Sequence, residues 1–352
     1  MTDAVRVPDT LEQALDPSWL TRALGQRHPG IEVTNVITRL VDTRISTNAR
    51  FTIECTGGVP DGMAADLCIK GYFGEEGRPY AHIGEPEARF YEHLAEPIGV
   101  RTLRSHYAGA DPDTGAGVFI TEDIITEGGE FLDALSPYTV DQAAQSLSEF
   151  ARLHAFGWGL PDSVRASWLA PRIDLYFEQR GQDTIQSNFD GPVGADVAPA
   201  ARDAGRLAGA MRTLARRPEG PDWTLIHGDA HVGNVFLAPD GSPALVDWQL
   251  VQRNFWGIDI GYHVASAIST EDREQSERDL LRHYLDELTA RGVQAPSWNE
   301  AWSAYRIGTV YGFFMWGITI MVKPEVVRVL LQRLSAAVAA HDGFAAVEAG
   351  AS

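Results

Sequence analysis

Three oxygen-bearing side chains stand out in a non-helical stretch of the second half of the chain. Asp229 and Asn234 lie five residues apart in the segment His227-Gly-Asp-Ala-His-Val-Gly-Asn234. Asp247 follows at the end of a short apolar run. Carboxylate and amide oxygens are the hard ligands that Mg²⁺ prefers, and a carboxylate can also orient a hydroxyl group and accept its proton.

These groups are the ones that phosphoryl transfer requires. The reaction needs a carboxylate for the attacking hydroxyl, oxygen ligands for Mg²⁺ and a cation on the nucleotide phosphates. Asp229 can supply the first, while Asn234 and Asp247 can supply the second. A catalytic Asp, an Asn at this interval and a metal-binding Asp after a hairpin follow in the same order in protein kinases.

A loop and a hairpin are predicted to position the three side chains. A short apolar strand leads into the loop, and strands at 235–237 and 244–246 flank the strong turn signal Ala-Pro-Asp-Gly-Ser-Pro. The loop can curl so that Asp229 and Asn234 aim at one point, and the closing hairpin returns Asp247 to it. We therefore expect the three groups to meet around one metal–nucleotide complex.

The segment resembles the catalytic loop of the aminoglycoside phosphotransferase and choline kinase-like proteins, distant relatives of protein kinases. Val246-Asp-Trp-Gln249 is similar to the metal-binding segment of that family, and its Asp-Trp-Gln form resembles the ecdysteroid kinase-like branch. The resemblance implies a small-molecule kinase that transfers the γ-phosphate of ATP to a hydroxyl of a small substrate. Asp229 would be its catalytic base, and Asn234 and Asp247 would hold Mg²⁺.

The same resemblance implies a nucleotide site in the first part of the chain. Lys70, at the end of Leu-Cys-Ile-Lys, would bind phosphate, and Glu87 on the following helix would hold the amine in place. Physically, such an acid keeps the lysine charged. The segment 119–123 is similar to the hinge between lobes, where Thr121 and Glu122 would meet the adenine through backbone groups.

The first hairpin departs from the family pattern. A glycine-rich turn should cover the phosphates, but residues 42–48 contain no glycine. Ser46, Thr47 and Asn48 could contact phosphate by backbone or side chain. The departure leaves GTP open as an alternative donor.

Two further features bear on the loop and on the acceptor. Asp259 resembles a family aspartate that braces the catalytic loop by accepting backbone N–H groups, although a plain N-cap is an equal alternative. Most aromatic residues of the helical half are expected in the core, and a few could line an acceptor pocket. They are Trp256, Tyr262, Tyr305, Tyr311, Phe313, Phe314 and Trp316.

Other functions remain open at this point. His227, Asp229 and His231 alternate, so the three could bind a transition metal as in a zinc-dependent hydrolase. Against this, no second cluster of His or Asp completes a metal shell, and His227 is expected instead to brace the loop by hydrogen bonds to backbone. A catalytically weak nucleotide-binding protein of the same fold is the other alternative.

Composition and charge exclude some classes of partner and indicate a location. The chain has 352 residues, 44% of them hydrophobic, and a net charge of −19, which disfavours nucleic acid and anionic membranes as partners. Only Cys55 and Cys68 carry thiols, and no secretion signal is predicted at the N-terminus, so a reducing, cytoplasmic location is expected. The apolar run 307–322 is shorter than a bilayer requires and predicts a buried helix.

The elements predict an α+β, two-lobed protein-kinase-like fold. The small antiparallel N-lobe, 1–121, would bind nucleotide, and the mainly helical C-lobe, 122–352, would carry the catalytic loop and the acceptor site. Strands are predicted at 32–40, 50–55, 65–72, 102–107 and 117–122, with one inserted helix that starts at Glu85-Pro86. The main helices are predicted at 139–156, 197–216, 273–290, 298–316 and 325–340.

Overall fold

The computed structural model describes residues 5–350, apart from the side chains of residues 76, 78 and 177–179. Residues 1–4, part of the N-terminal stretch without a predicted secretion signal, lie outside the described residues, as do the last two.

Two units can be distinguished by their internal contacts. The first runs to Glu130 and also contains the later segments Ala238–Gly241 and Val246–Gln249, and the second contains the remaining residues. The functional division into a nucleotide-binding lobe at 1–121 and a catalytic lobe at 122–352 stays a prediction.

The first unit is built on one antiparallel sheet. Its strands are β1 (Val33–Thr43), β2 (Thr47–Cys55), β3 (Asp66–Gly71), β4 (Ser105–Ala110) and β5 (Gly117–Glu122). They are arranged in the order β1-β2-β3-β5-β4. The helices of this unit are α1 (Leu11–Ala14), α2 (Pro17–Leu24), α3 (Gly74–Gly77), α4 (Ala81–His93) and α5 (Ala95–Ile98).

The alternation of side chains along the strands gives this sheet one apolar face. Ala49, Phe51 and Ile53 of β2 are buried in a cluster that includes residues of α2. Neighbouring residues of a strand point to opposite faces, so Lys70 in β3 points away from the face that its neighbour Ile69 joins. The sheet therefore presents Lys70 on the face opposite this core.

Helix α4 begins earlier than the sequence predicts. The expected start is at Glu85-Pro86, whereas the helix runs Ala81–His93 and has Pro86 in its interior. A proline there cannot donate a backbone hydrogen bond to the carbonyl of His82, which is a loss that a packed helix can tolerate. As a result Glu87 lies in the middle of the helix, and it is only 2% exposed.

The second unit is mainly helical, as the sequence predicts. Its helices are α6 (Val140–Gly157), α7 (Ile173–Gln179), α8 (Gln182–Asp190), α9 (Ala204–Ala215), α10 (Gly257–Ala267), α11 (Thr270–Ala290), α12 (Trp298–Gly317), α13 (Pro324–Ala340) and α14 (Gly343–Ala349). Its short strands are β7 (Trp223–Ile226), β8 (Val235–Leu237), β9 (Pro243–Leu245) and β10 (Gln252–Phe255), and β6 (Glu130–Phe131) includes the last residue of the first unit's main segment. They form the sheets β10-β7 and β6-β8-β9.

The helix predicted at 197–216 is shorter in the structure. Helix α9 begins after Asp203, whose side chain accepts the backbone N–H of Arg206 at 2.8 Å. Pro199–Ala201 forms a separate turn of 3-10 helix. An aspartate cap satisfies an amide that the first helical turn leaves unpaired, so the cap determines where the helix begins.

Helices α10 and α12 meet at glycine residues. A Cβ atom on Gly308 would lie 1.9 Å from the carbonyl oxygen of Gly257, and one on Gly261 would lie 2.2 Å from the carbonyl oxygen of Tyr305. Only residues without a side chain permit so close an approach of two backbones. Because α10 also carries Asp259, this packing positions a residue of the candidate site.

We expect Gly308→Ala to lower the free energy of unfolding by about 2 to 3 kcal/mol, because the two backbones must separate to admit a methyl group. Gly209→Ala in α9 is the matched control, since a Cβ atom there meets nothing within 4 Å. It is expected to stabilise the protein by about 0.5 to 1 kcal/mol through the better helix propensity of alanine. Urea unfolding followed by circular dichroism measures both values, and equal effects would contradict the close packing.

The apolar run 307–322 is helical only as far as Gly317. Most of its residues within α12 are buried, which confirms the predicted buried helix. Ile320, Met321 and Val322 follow the helix and are 59%, 68% and 41% exposed. In the described part of the chain, no helix combines the length and the apolar character needed to cross a membrane.

Candidate active site

The predicted catalytic loop starts where β7 ends. Strand β7 pairs antiparallel with β10, so that its last residue, Ile226, stands opposite Gln252. Gly228 has a φ of +82°, and a Cβ atom on it would lie 2.4 Å from the carbonyl oxygen of Leu250. Glycine alone combines this left-handed backbone with so close a contact, and it allows the chain to turn towards Asp229.

Asp259 holds the start of this loop. Its carboxylate accepts the backbone N–H of His227 at 2.7 Å and that of Gly228 at 2.9 Å. Its Oδ2 also lies 3.1 Å from Nε2 of His154, and both side chains are fully buried. The predicted bracing contact is confirmed, and Asp259 lies inside α10 rather than at its N-cap.

Two more side chains hold the loop backbone. Tyr311 of α12 donates its hydroxyl to the carbonyl of Gly228 at 2.7 Å. Nδ1 of His263 in α10 lies 2.9 Å from the carbonyl oxygen of Ala230, and a carbonyl can only accept, so this nitrogen carries the proton. Burial lowers the pKa of His263 to about 4, which keeps its ring neutral. The loop backbone is therefore tied to two helices.

Asp229 extends its carboxylate from this fixed loop. Oδ1 accepts a hydrogen bond from the hydroxyl of Tyr262 at 3.2 Å, and Oδ2 lies 3.6 Å from Nε2 of His231. Burial acts to raise the pKa of Asp229, but the interactions with His231, His227 and Asn234 together outweigh it and hold the pKa below its ordinary value. The carboxylate is thus ionised at neutral pH, as a proton acceptor must be.

His227 and His231 bind backbone groups. Nδ1 of His227 accepts the backbone N–H of Asp229 at 3.3 Å, and Nδ1 of His231 accepts that of Gly233 at 3.0 Å. The bracing role expected of His227 is confirmed. Within residues 5–350, no three or more histidine, cysteine or acidic side chains are arranged to hold a metal ion, as the zinc-dependent hydrolase alternative would require.

Asn234 lies beside Asp229, as their spacing predicts. It ends a turn of 3-10 helix, Val232–Asn234, just before β8, and it is 7% exposed. Its Nδ2 donates to the backbone carbonyl of Asp229 at 2.8 Å, and this partner determines which way the amide faces. The amide oxygen, a hard ligand, is the atom left for a metal ion.

In the first unit, Lys70 lies between two carboxylates. Its Nζ is 2.7 Å from Oε2 of Glu87 and 3.2 Å from Oδ1 of Asp247. Burial acts to lower the pKa of Lys70, but the two carboxylates outweigh it and hold the pKa well above its ordinary value. Burial raises the pKa of Glu87, and the lysine opposes this rise. The lysine is therefore a permanent local cation with a partner on α4.

Asp247 has a φ of +62°, which is uncommon for a residue other than glycine. The next residue, Trp248, is fully buried and stacks on Phe90 of α4, with ring centroids 3.7 Å apart. Its indole N–H donates to Oγ1 of Thr102 at 3.0 Å. Phe90 follows Glu87 by about one helical turn, so the stack holds both carboxylate partners of the lysine in place.

The glycine-free hairpin of the first unit closes through a short turn. Residues 44–46 connect β1 and β2, and the N–H of Arg44 donates to the carbonyl of Ser46 at 2.9 Å. Thr47 is 4% exposed, and Asn48 is half-buried and stands opposite Lys70 in the sheet. The phosphate role of Ser46, Thr47 and Asn48 stays a prediction.

Thr121 and Glu122 form the end of β5. Thr121 is 2% exposed and is paired with residues of both β3 and β4. Oε1 of Glu122 lies 3.2 Å from a guanidinium nitrogen of Arg104 and 3.3 Å from Nε2 of His106. The backbone of Thr121 and the side chain of Glu122 thus already have partners within the protein. The contact of these two residues with adenine stays a prediction.

The structure thus brings together Lys70, Glu87 and Asp247 within the first unit. It brings together Asp229 and Asn234 within the second. That all the oxygen ligands meet around one metal–nucleotide complex stays a prediction.

Comparison with known proteins gives the family. The model of the phosphotransferase enzyme family matches residues 75–296, more than half of the 352 residues. The chain belongs to this family. The matched region of this phosphotransferase includes Glu87, the predicted catalytic loop and Asp247, and it begins after Lys70. No curated protein matches the chain at a significant level.

Solved structures show the fold of this phosphotransferase. A putative fructosamine-3-kinase from Thermobifida fusca has a TM-score of 0.50 and 16% identity, and the alignment covers 91% of this chain and 97% of that one. A choline/ethanolamine kinase family protein from Mesorhizobium loti has a TM-score of 0.49 and 16% identity, with 89% and 92% covered. A choline kinase from Streptococcus pneumoniae has a TM-score of 0.47 and 16% identity, and the alignment covers 86% of this chain and 93% of that one. The predicted protein-kinase-like fold, a five-stranded antiparallel sheet followed by a mainly helical part, is confirmed.

Several residues that support the site of this phosphotransferase were missed by sequence reasoning. The sequence indicates Tyr262 and Tyr311 only as core or pocket aromatics, but their hydroxyls donate to the Asp229 carboxylate and to the carbonyl of Gly228. The motif around Asp247 includes Trp248, but the sequence does not predict the stack of its ring on Phe90. One sequence signal could have identified Tyr262 as a supporting residue: it follows Asp259 by three residues, which places both on the same face of a helix.

Proposed function

We propose that this phosphotransferase is a small-molecule kinase that transfers the γ-phosphate of ATP to a hydroxyl group of a small acceptor. The observation that carries the proposal is the Asp229 carboxylate, which is ionised, 15% exposed and held on a tied loop. Membership of the phosphotransferase family supports the reaction class. Phosphoryl transfer depends on such a positioned carboxylate.

Asp229 acts as the catalytic base in this proposal. It orients the acceptor hydroxyl and accepts its proton while the hydroxyl oxygen attacks the γ-phosphorus. The contacts from Asp259 and Tyr311 fix the loop before the substrate binds, so the carboxylate needs little reorganisation during the reaction.

Lys70 supplies positive charge to the nucleotide phosphates. The chain carries a net charge of −19, so an anionic nucleotide needs a local cation at its binding site. Glu87 keeps this cation on the face of β3 opposite the apolar core. The lysine remains charged because two carboxylates stabilise its ammonium form.

Mg²⁺ is the metal ion that the family resemblance implies, and the donor chemistry fits it. The Nδ2 of Asn234 is hydrogen-bonded to the backbone carbonyl of Asp229, so the amide oxygen faces the other way. The side chain of Asp247 is 32% exposed. Both offer the oxygen ligands that this hard cation requires, and the ion would offset charge on the phosphate oxygens. We propose that Asn234 and Asp247 hold it.

The remaining assignments complete the proposal. Ser46, Thr47 and Asn48 would contact phosphate, and Thr121 and Glu122 would meet the adenine. The acceptor is proposed only by its reacting group, an alcohol on a small molecule. The ecdysteroid kinase-like branch and the cytoplasmic location stay predictions.

ADP release by the purified protein tests the proposal. The protein is given ATP or GTP with Mg²⁺ or with a chelator, and the acceptors screened are an aminoglycoside, a choline-like amine, a sugar, a sterol-like alcohol and a hydroxyacyl thioester. We expect Mg²⁺-dependent release of the nucleoside diphosphate that increases with one acceptor class. Release that is the same with and without Mg²⁺, for every nucleotide and acceptor, would contradict the proposal.

Asp247→Asn is expected to reduce Mg²⁺-dependent ADP release by about a hundredfold, because the variant loses the charged metal ligand. Asparagine tolerates the left-handed backbone, so the fold should be retained. Asp342→Asn is the matched control, since Asp342 is another aspartate with positive φ, at +47°, and lies at the start of α14. A rate loss of the same size in both variants would argue against a metal role for Asp247.

A further inference from the structure

Asp229 ends a chain of hydrogen bonds that α10 and α12 build behind it. Nε1 of Trp316 donates to the hydroxyl of Tyr262 at 2.7 Å, and that hydroxyl donates to Oδ1 of Asp229 at 3.2 Å. Tyr262 is 1% exposed and Trp316 is 5% exposed. These two aromatic residues therefore lie behind the carboxylate and offer almost no surface to a substrate.

The direction of this chain is fixed by its chemistry. An indole N–H can only donate, so Trp316 occupies a lone pair of the phenol oxygen and leaves the phenol proton for Asp229. Burial raises the pKa of Tyr262 well above its ordinary value, and Asp229 raises it further, so the hydroxyl stays protonated. Hydrogen bonds in series strengthen one another in a medium of low dielectric constant.

The second carboxylate oxygen has a different environment. Nδ1 of His231 accepts the backbone N–H of Gly233, so the ring carries a proton on Nε2. That atom lies 3.6 Å from Oδ2 of Asp229, which is too long for a hydrogen bond. The ring of His231 is held edge-to-face against Trp316, with centroids 5.1 Å apart. Oδ2 thus keeps its capacity to accept a proton.

We propose that Tyr262, held by Trp316, is a positioning residue that occupies Oδ1 of Asp229 and so makes Oδ2 the atom that receives the acceptor's proton. The inference rests on the proposed kinase function. Without the tyrosine hydroxyl, either oxygen could turn towards the acceptor, and the carboxylate would rotate about its bond to Cβ. The rate would fall because fewer encounters have the reactive geometry.

The transfer step balances as follows. The O–H bond of the acceptor breaks and its proton moves to Oδ2 of Asp229, while the acceptor oxygen forms a bond to the γ-phosphorus of ATP. The bond from that phosphorus to the bridging oxygen breaks, and ADP leaves with the electron pair. The proton then passes to solvent, and the products are ADP and a phosphate monoester.

The test measures ADP release from Mg²⁺ and ATP with water as the acceptor, so that no acceptor need be identified. Tyr262→Phe removes one oxygen atom and is expected to lower kcat about tenfold, as loss of a hydrogen bond to a charged group implies, with KM for ATP within twofold of wild type. Trp316→Phe removes the indole N–H that holds the tyrosine hydroxyl but keeps an aromatic ring beside His231, and it is expected to lower kcat about threefold. Added to Tyr262→Phe, it should cause no further loss.

Tyr305→Phe is the matched control. Tyr305 is a fully buried tyrosine of the same helix as Trp316, and its hydroxyl donates to Glu277 at 2.8 Å. This variant loses a comparable buried hydroxyl without touching Asp229, and we expect kcat to stay within twofold of wild type.

Each outcome bears on the inference. A wild-type kcat in Tyr262→Phe, equal losses in Tyr305→Phe and Tyr262→Phe, or additive losses from Trp316→Phe would overturn it. If wild type released ADP no faster than Asp229→Asn, the proposed kinase function itself would fail, and the inference with it. Circular dichroism verifies that each variant is folded, and Trp316→Phe tests the chain even if Tyr262→Phe does not fold.

Discussion

Replacing Asp229 by asparagine is expected to lower kcat for ADP formation by about a thousandfold, which is the scale of a lost general base. The amide has the same size and can still accept the hydroxyl of Tyr262 through its oxygen, but it cannot take a proton. ATP binding should change little, since we assign nucleotide contacts to Lys70 and other residues. Calorimetric titration with Mg²⁺ and ATP, beside the rate measurement, separates binding from chemistry.

Asp203→Asn is the matched control for this substitution. Asp203 caps α9 through its side chain, and asparagine caps a helix equally well. We expect the control to keep the wild-type rate and the wild-type melting temperature. A full rate in Asp229→Asn would remove the catalytic base from the mechanism, whereas a joint loss of rate and ATP binding would place Asp229 in substrate binding instead.

The predictable part of the site is the part encoded by local spacing. Asp229 and Asn234 belong to one loop, and the amide of Asn234 does bond to the backbone of Asp229. Short separations leave few geometries open, so the sequence pattern suffices for this pair. Lys70 and Glu87, which lie 2.7 Å apart, were instead implied by the resemblance to the family.

The supporting contacts could not be predicted, because they join residues that are distant in sequence. His154 reaches Asp259 across 105 residues, and Trp316 reaches Tyr262 across 54. Helical periodicity shows that such residues are buried, but it does not show which buried residue each one meets. The crossing of α10 and α12 decides this, and it depends on glycines whose packing role is invisible without the partner helix.

Local rules also failed where tertiary packing overrides them. Pro86 indicates the start of a helix, yet α4 begins five residues earlier, at Ala81. No helix is predicted over 257–267, yet this segment forms α10, a helix buried on all sides. In both cases burial outweighs the helix propensity of glycine and proline.

Asp259 holds the start of the loop that carries Asp229. We expect Asp259→Ala to lower the free energy of unfolding by about 3 to 5 kcal/mol. The carboxylate is fully buried and accepts the N–H groups of His227 and Gly228. Alanine would leave both donors and His154 without this partner in a site that water does not reach. Chemical denaturation with a fluorescence or circular dichroism readout gives the value.

The control is Asp141→Ala, which removes an exposed aspartate from the first turn of α6. A surface change of this kind is expected to cost no more than about 0.5 kcal/mol. Asp259→Asn should fall between the two, because its amide can accept one of the N–H groups but presents its own N–H to the other. An equal, small cost for Asp259→Ala and Asp141→Ala would contradict the bracing role.

Asp259→Asn also tests whether Asp259 braces the loop specifically or supports the second unit in general. Asp259 contacts the two residues that immediately precede Asp229, so its loss should release the loop before the rest of the second unit unfolds. In Asp259→Asn, amide hydrogen exchange at His227 and Gly228 is expected to accelerate far more than exchange in α9. The rate of ADP formation should fall with that local opening, because a mobile Asp229 spends less time in the reactive position.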